Sequence, residues 1–130
     1  MGTIQPPDLY NRPAPPEYVE LASVTVDITG VDADLMDYIA RLALVHMAMF
    51  HKPLIITSAK DGNHAQNSAH YAGVAVDVRS NDKTEEEQTV FAVMMSYLGP
   101  HRGMGVFDER TVWTGPHWHI EKQGQGSGGS

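Results

Sequence analysis

A single α+β domain is what the sequence predicts. Two segments carry apolar residues at helical spacing, strand-like runs precede, separate and follow them, and the length suits one core. The chain has 130 residues, 42% of them hydrophobic, enough for one sizeable core and too few for two ordinary domains. Three segments are expected: a proline-rich extended arm over 1–20, the folded domain over 21–123, and a flexible Gly/Ser tail over 124–130. The arm holds five of the eight prolines, which fix φ and remove backbone donors. The tail, GQGSGGS, has the composition of a linker.

In chain order, the β-branched alternation Val24, Val26, Ile28, ending at Gly30, predicts a strand or a stiff extended lead-in. Asp32 or Asp34 then caps a helix whose apolar residues are Leu35, Ile39, Leu42, Met47 and Phe50, and Pro53 stops it. LIITS (54–58) reads as a buried strand, and the glycine-bearing polar run after it as a loop leading to His70. GVAVDVR (73–79) alternates, so Val74, Val76 and Val78 are expected in the core while Gly73, Ala75, Asp77 and Arg79 share the other face. The stretch from Ser80 to Gly99 opens with cap candidates and a solvated acidic turn, Glu85 to Glu87. It continues through Val90, Phe91, Met94, Met95 and Leu98 as a core-facing helix. GMGVFDERTVWTGPHWHIE reads as two short strands joined by a polar turn.

The totals exclude several functions. No cysteine is present, so a transition metal must be held by histidine and carboxylate. The formal charge of -7 argues against general nucleic-acid binding. The longest apolar stretch, Leu42 to Phe50, is interrupted by His46 and far too short for a membrane span. The first ten residues lack the basic start and apolar run of a secretory signal, so export is expected to depend on something else.

Chemistry concentrates in two places. His117 and His119 are two apart in a strand and so project from one face. Asp77 has only Gly73 and Ala75 as near neighbours on its face, which leaves a concavity, and a turn through Tyr71, Ala72 and Gly73 can bring His70 back to it. Two histidines and a carboxylate with a fourth position open is the ligand set of a catalytic zinc, with His117 spare on the right face to act as a base. His46, His51 and His101 read as surface or hydrogen-bonded residues.

Ser68-x-His70-x-x-Gly73-x-Ala75-x-Asp77, followed some forty residues on by His117-x-His119, resembles the zinc signature of the LAS peptidases. These D-alanyl-D-alanine carboxypeptidase-like enzymes include murein endopeptidases and phage L-alanyl-D-glutamate endolysins. The stretch ITSAKDGNHAQNSAHYAGVAVDVRS is especially similar to small phage-encoded members, and the resemblance covers roughly residues 54 to 121. It implies a small antiparallel sheet with flanking helices, Zn2+ held by His70, Asp77 and His119, and His117 beside the metal as base. It also implies hydrolysis of stem peptides in peptidoglycan, by an endolysin released at lysis or a virion component. Neither a nucleic acid nor a membrane is an expected partner.

Many relatives carry an arginine after the TS strand where this chain has Lys60, and others use a glutamate as base. The carboxylates upstream of the H-x-H pair here are Asp108 and Glu109, and Asp108 is taken as the alternative base. Lys60 or Arg79 is expected to hold a substrate carboxylate, with Ser68 and His64 in the pocket wall. The same metal pattern recurs in the signalling domain of hedgehog proteins, so a competing expectation is a non-catalytic virion or wall-binding module that retains zinc for stability.

Overall fold

Two elements that a sequence pattern separates by some thirty residues, β1 (Val19–Leu21) and β2 (Leu54–Ser58), lie side by side and parallel. Parallel neighbours need a crossover, and helix α1 (Ala33–Phe50) provides it. The chain continues through β3 (Ala75–Arg79), helix α2 (Glu85–Leu98), a 3-10 turn (Pro100–Arg102), β4 (Met104–Glu109) and β5 (His117–Lys122). Residues 14–61, 69–70, 72–111 and 115–124 are described by the structure, a computed structural model. Among them the fold is α+β, a five-stranded sheet in the order β1-β2-β3-β5-β4 with two helices. Every pairing except β1–β2 is antiparallel, so the all-antiparallel expectation is corrected at that edge.

Local chemistry accounts for the helices. The Asp32 side chain accepts from the backbone N–H groups of Asp34 and Leu35 and so caps α1, while His51 ends it in the left-handed region two residues before Pro53. The buried stripe is Leu35, Tyr38, Ile39, Leu42, Ala43 and His46. Met47 and Phe50, expected in the core, are half-buried, and His46 takes the inner place. In α2, Thr84 and Glu87 exchange backbone and side-chain hydrogen bonds as a capping box, and Phe91 and Met95 are the buried residues. Met94 is only half-buried, and Val90 and Leu98 face outward.

Two further expectations shift. The segment carrying Val24, Val26 and Ile28 is not a strand: Val26 and Ile28 are buried, but Val24 is 72% exposed. Its backbone is used in turns (Val26 N–H to Ser23 O, Val31 N–H to Ile28 O) and by Asp61, whose side chain accepts from Asp27 N–H. The strand lies earlier, so the sheet begins inside the segment read as arm. Val74 also leaves the expected core face and packs with Ala69 and Ala75. Of the arm and the tail, residues 1–13 and 125–130 lie outside the described residues. No described helix is long and apolar enough to cross a membrane.

Both helices contribute to one core with Leu54, Ile56, Val76, Val78, Trp118 and Ile120. That covers one face of the sheet. The other face carries Asp77 and Arg79 of β3, His117, His119 and Glu121 of β5, and Glu109 of β4.

Candidate metal centre

Register and pleat arrange this second face as three rows across β3, β5 and β4. Arg79, His117 and Glu109 form the first row, Asp77, His119 and Phe107 the second, and Ala75, Glu121 and Gly105 the third. Ala75 and Gly105, both small, flank Glu121, and Asp77 and His119 of the middle row are buried.

His70 arrives from a turn closed by Gly73 N–H to His70 O and Val74 N–H to Ala69 O. Gly73 has φ +77, and a Cβ there would stand 2.9 Å from Gly30 O, so a side chain is barred by both backbone strain and contact. Asp32 N–H donates to Gly73 O at 2.7 Å, tying the turn to the start of α1. On β2, the pairing shifts register between Ile56 and Ser58, opposite Val78 and Asp77. Bulges of this kind re-aim side chains beside functional sites.

Three donor atoms meet here. His70 Nε2 is 3.1 Å from His119 Nδ1 and 3.2 Å from Asp77 Oδ1, and His119 Nδ1 is 3.1 Å from Asp77 Oδ1. Ligands about 2.0–2.1 Å from a tetrahedral ion stand about 3.3–3.4 Å apart, so the triangle is close to one face of such a site. The outer nitrogens are committed elsewhere. His70 Nδ1–H donates to Ala59 O at 2.8 Å, and His119 Nε2–H donates to the buried Glu121 carboxylate at 2.7 Å. A carbonyl can only accept, and an ionised carboxylate likewise, so in the neutral rings both inward nitrogens present lone pairs. Three acceptors then face one another, which is favourable only with a cation or an extra proton between them.

The titration behaviour of the protein groups agrees. Burial pushes the Asp77 carboxyl up, but hydrogen bonds from His119 and His70 outweigh it and hold the group well below the usual carboxylate range. Burial lowers His119, but its hydrogen bonds to Asp77 and Glu121 prevail and raise it. Without a metal, the triangle is therefore satisfied by protonating imidazole. His70, Asp77 and His119 are positioned to bind a metal ion.

His117 sits one row away. Its Nδ1–H donates to Gly115 O at 2.7 Å, and its Nε2 lies 2.7 Å from Glu109 Oε1 and 3.5 Å from Asp77 Oδ2. Asp77, Glu109 and His117 are also close enough to share an ion. The 2.7 Å contact is nevertheless hydrogen-bond length, well under the spacing of two ligands on one ion, and marks a pair that shares a proton.

Of the residues singled out from sequence, His70, Asp77, His119 and His117 are brought together and Asp108 is not. Asp108 pairs across the sheet with Trp118, on the helix-covered face, and its carboxylate is held by Arg110 at 2.6 and 2.8 Å. The Arg110 hydrogen bond keeps its carboxyl low. The neighbouring residue, Glu109, has the opposite parity and occupies the place expected of Asp108. Arg79 lies on the site face opposite His117. Lys60 runs along the glycines of two turns, its Nζ 3.4 Å from where a Cβ on Gly30 would stand and its Cδ 3.7 Å from that on Gly73. His64 and Ser68 lie outside the described residues. Glu121 is a further residue of the site, and the local signal for it is that His117-x-His119-x-Glu121 extends the same period of two.

No protein-family model matches the chain, and a search of curated proteins finds no match.

Proposed function

We propose that the chain is a zinc-dependent peptidase acting on the stem peptides of bacterial peptidoglycan, phage-encoded, and either an endolysin or a virion component. The observation that carries this reading is the triangle of His70 Nε2, Asp77 Oδ1 and His119 Nδ1, its outer nitrogens committed, beside a hydrogen-bonded His117–Glu109 pair. Nitrogen and oxygen donors without sulfur suit zinc, and three protein ligands leave a position for substrate. Zinc bound there supplies a Lewis acid for the scissile carbonyl and lowers the pKa of water.

The remaining work falls to the chain. His117 Nδ1 is fixed on Gly115 O and its Nε2 shares a proton with Glu109 Oε1, so the two side chains act as one acid–base pair that takes a proton from the attacking water and returns it to the leaving amine. Glu109 also orients the His117 ring. Glu121 and Ala59 O hold the two ligand rings in one tautomer. Mass analysis of purified murein treated with the zinc-loaded chain tests the reading: newly released stem-peptide fragments are expected, and their absence across several wall types would refute it.

The complete burial of His70 and His119 favours a second reading, a virion or wall-binding module that keeps the metal for stability. That module would bind murein, hold its metal and release nothing.

A further inference from the structure

His117 meets the conditions that make the first triangle a metal site. Its Nδ1–H is spent on Gly115 O, so the neutral ring turns the Nε2 lone pair toward Glu109 Oε1 at 2.7 Å and Asp77 Oδ2 at 3.5 Å. Again an imidazole nitrogen and two carboxylate oxygens face one another in a largely buried place, and a cation or a proton must stand between them. Asp77, Glu109 and His117 each offer one donor atom within reach of a single ion. The two triangles meet at Asp77, whose Oδ1 faces His70 and His119 while its Oδ2 faces His117. Ions held on the two oxygens of one carboxylate fall in the range of two-metal sites, about 3.5–4 Å apart.

One distance separates the second triangle from the first. Ligands of one tetrahedral ion stand about 3.3–3.4 Å apart, which the His117–Asp77 distance of 3.5 Å nearly matches and the His117–Glu109 distance of 2.7 Å does not. The pair is closed on a proton. Opening it by about 0.6 Å falls to Glu109, because the His117 ring is fixed on Gly115 O, whereas Glu109 is half-buried and ends β4, the last strand of the described sheet, on a side chain with several torsions. The entering ion bonds to Nε2 and Oε1, and the proton they shared passes to water. Two charges oppose it: an ion already held by His70, Asp77 and His119, and Arg79, which lies opposite His117 on β3. The second triangle therefore fills after the first and more weakly.

We propose that Asp77, Glu109 and His117 form a second divalent-metal site, which shares Asp77 with the first and is filled by zinc in excess. Filling it takes the acid–base pair out of service, so excess zinc inhibits. That consequence rests on the peptidase reading, whereas the site itself does not.

Equilibrium dialysis of the full chain against rising free zinc tests the site. The parent should take up one ion and then a second, and Glu109→Gln only the first, its retained ion showing that the variant folds. A variant with both His51→Ala and His101→Ala, which removes two exposed histidines, should keep both ions. Anomalous diffraction at the zinc edge, from crystals of the parent grown with excess zinc, should give two peaks about 3.5–4 Å apart. Uptake that stops at one ion in the parent, a second ion retained in Glu109→Gln, or a second peak away from Asp77 would overturn the site. Murein cleavage by the parent should fall about 100-fold as the second ion fills, the scale of losing a positioned acid or base, and the residual cleavage by Glu109→Gln should not fall. Unchanged or increased cleavage with both ions bound overturns the inhibition and the assigned role of the pair while the site stands. If the parent cleaves no murein at any zinc level, the peptidase reading and the inhibition fail together, and dialysis and peak positions still decide the site.

Discussion

His46 and His119 are both fully buried, yet burial lowers one and leaves the other raised. His46 gives its Nδ1 proton to Lys52 O, turns its Nε2 toward no hydrogen-bond partner among the described residues, and packs edge-on against Phe50 and Phe91. Burial is the largest influence on it, so it stays neutral. His119 meets the same desolvation but stands between Asp77 and Glu121. What separates a packing histidine from a candidate ligand is therefore the partner of its second nitrogen. A carboxylate behind the ring sends its lone pair forward, and two further acceptors converge on that lone pair.

The largest effect that sharpens this contrast is on turnover. His117→Ala should keep its metal and lose about 100-fold or more in murein cleavage, the usual scale for a positioned acid or base. Glu109→Gln should reduce cleavage in the same assay, whereas Asp108→Asn should change it little, since its carboxylate faces the helices and Arg110. A dead Asp108→Asn beside an active Glu109→Gln would mean that the register of β4 and β5 is misassigned. Next comes Glu121→Gln, which removes the charge behind His119 and should weaken metal affinity by about 10- to 100-fold in competition with a chelator. Unchanged affinity would break the argument that the outer nitrogen matters.

pH gives a smaller signal with a definite sign. Because His119 is raised, its contacts stabilise the metal-free fold fully below the ordinary histidine value of 6.5, and that contribution is lost as pH rises through the raised folded value. Metal binding needs Nδ1 deprotonated, so it strengthens over the same rise. The gain in Tm on adding zinc should widen from about pH 6 to about pH 8.5, and a gain that narrows would contradict the tautomer assignment. His46 titrates the other way: its lowered value contributes stability above 6.5 that is lost as pH falls through the folded value. His46→Leu should leave metal content unchanged, alter neutral-pH stability by no more than about 1–2 kcal/mol, and reduce the acid-side loss in thermal melts.

Asp77 and His119 were legible as candidate ligands because both sit on strands whose period of two is written locally, Ala75-x-Asp77 and His117-x-His119 each declaring a shared face, whereas His70 lies on a turn and rested on its nearness to β3 and on the wider motif. Choosing between Asp108 and Glu109 needed the pairing of β4 with β5, which no local pattern in either strand declares, so a slip of one position reversed the face. The parallel edge was hidden for a similar reason. Only Val19 of the three β1 residues is buried, while Val26 and Ile28 imitate a strand because two turns drop them separately into the core. His46 looked like a break in an apolar helix face, and the partners that let it stay buried, Lys52 O and two phenylalanine rings, come from the helix end and from α2.

We propose that one metal ion is held by His70, Asp77 and His119, with His117 close but unnecessary. Elemental analysis of parent, His119→Ala and His117→Ala after equilibration with zinc and removal of excess tests it most directly. One ion per chain in the parent, one in His117→Ala and none in His119→Ala is the expected pattern. No metal in the parent, or a full complement in His119→Ala, would contradict it.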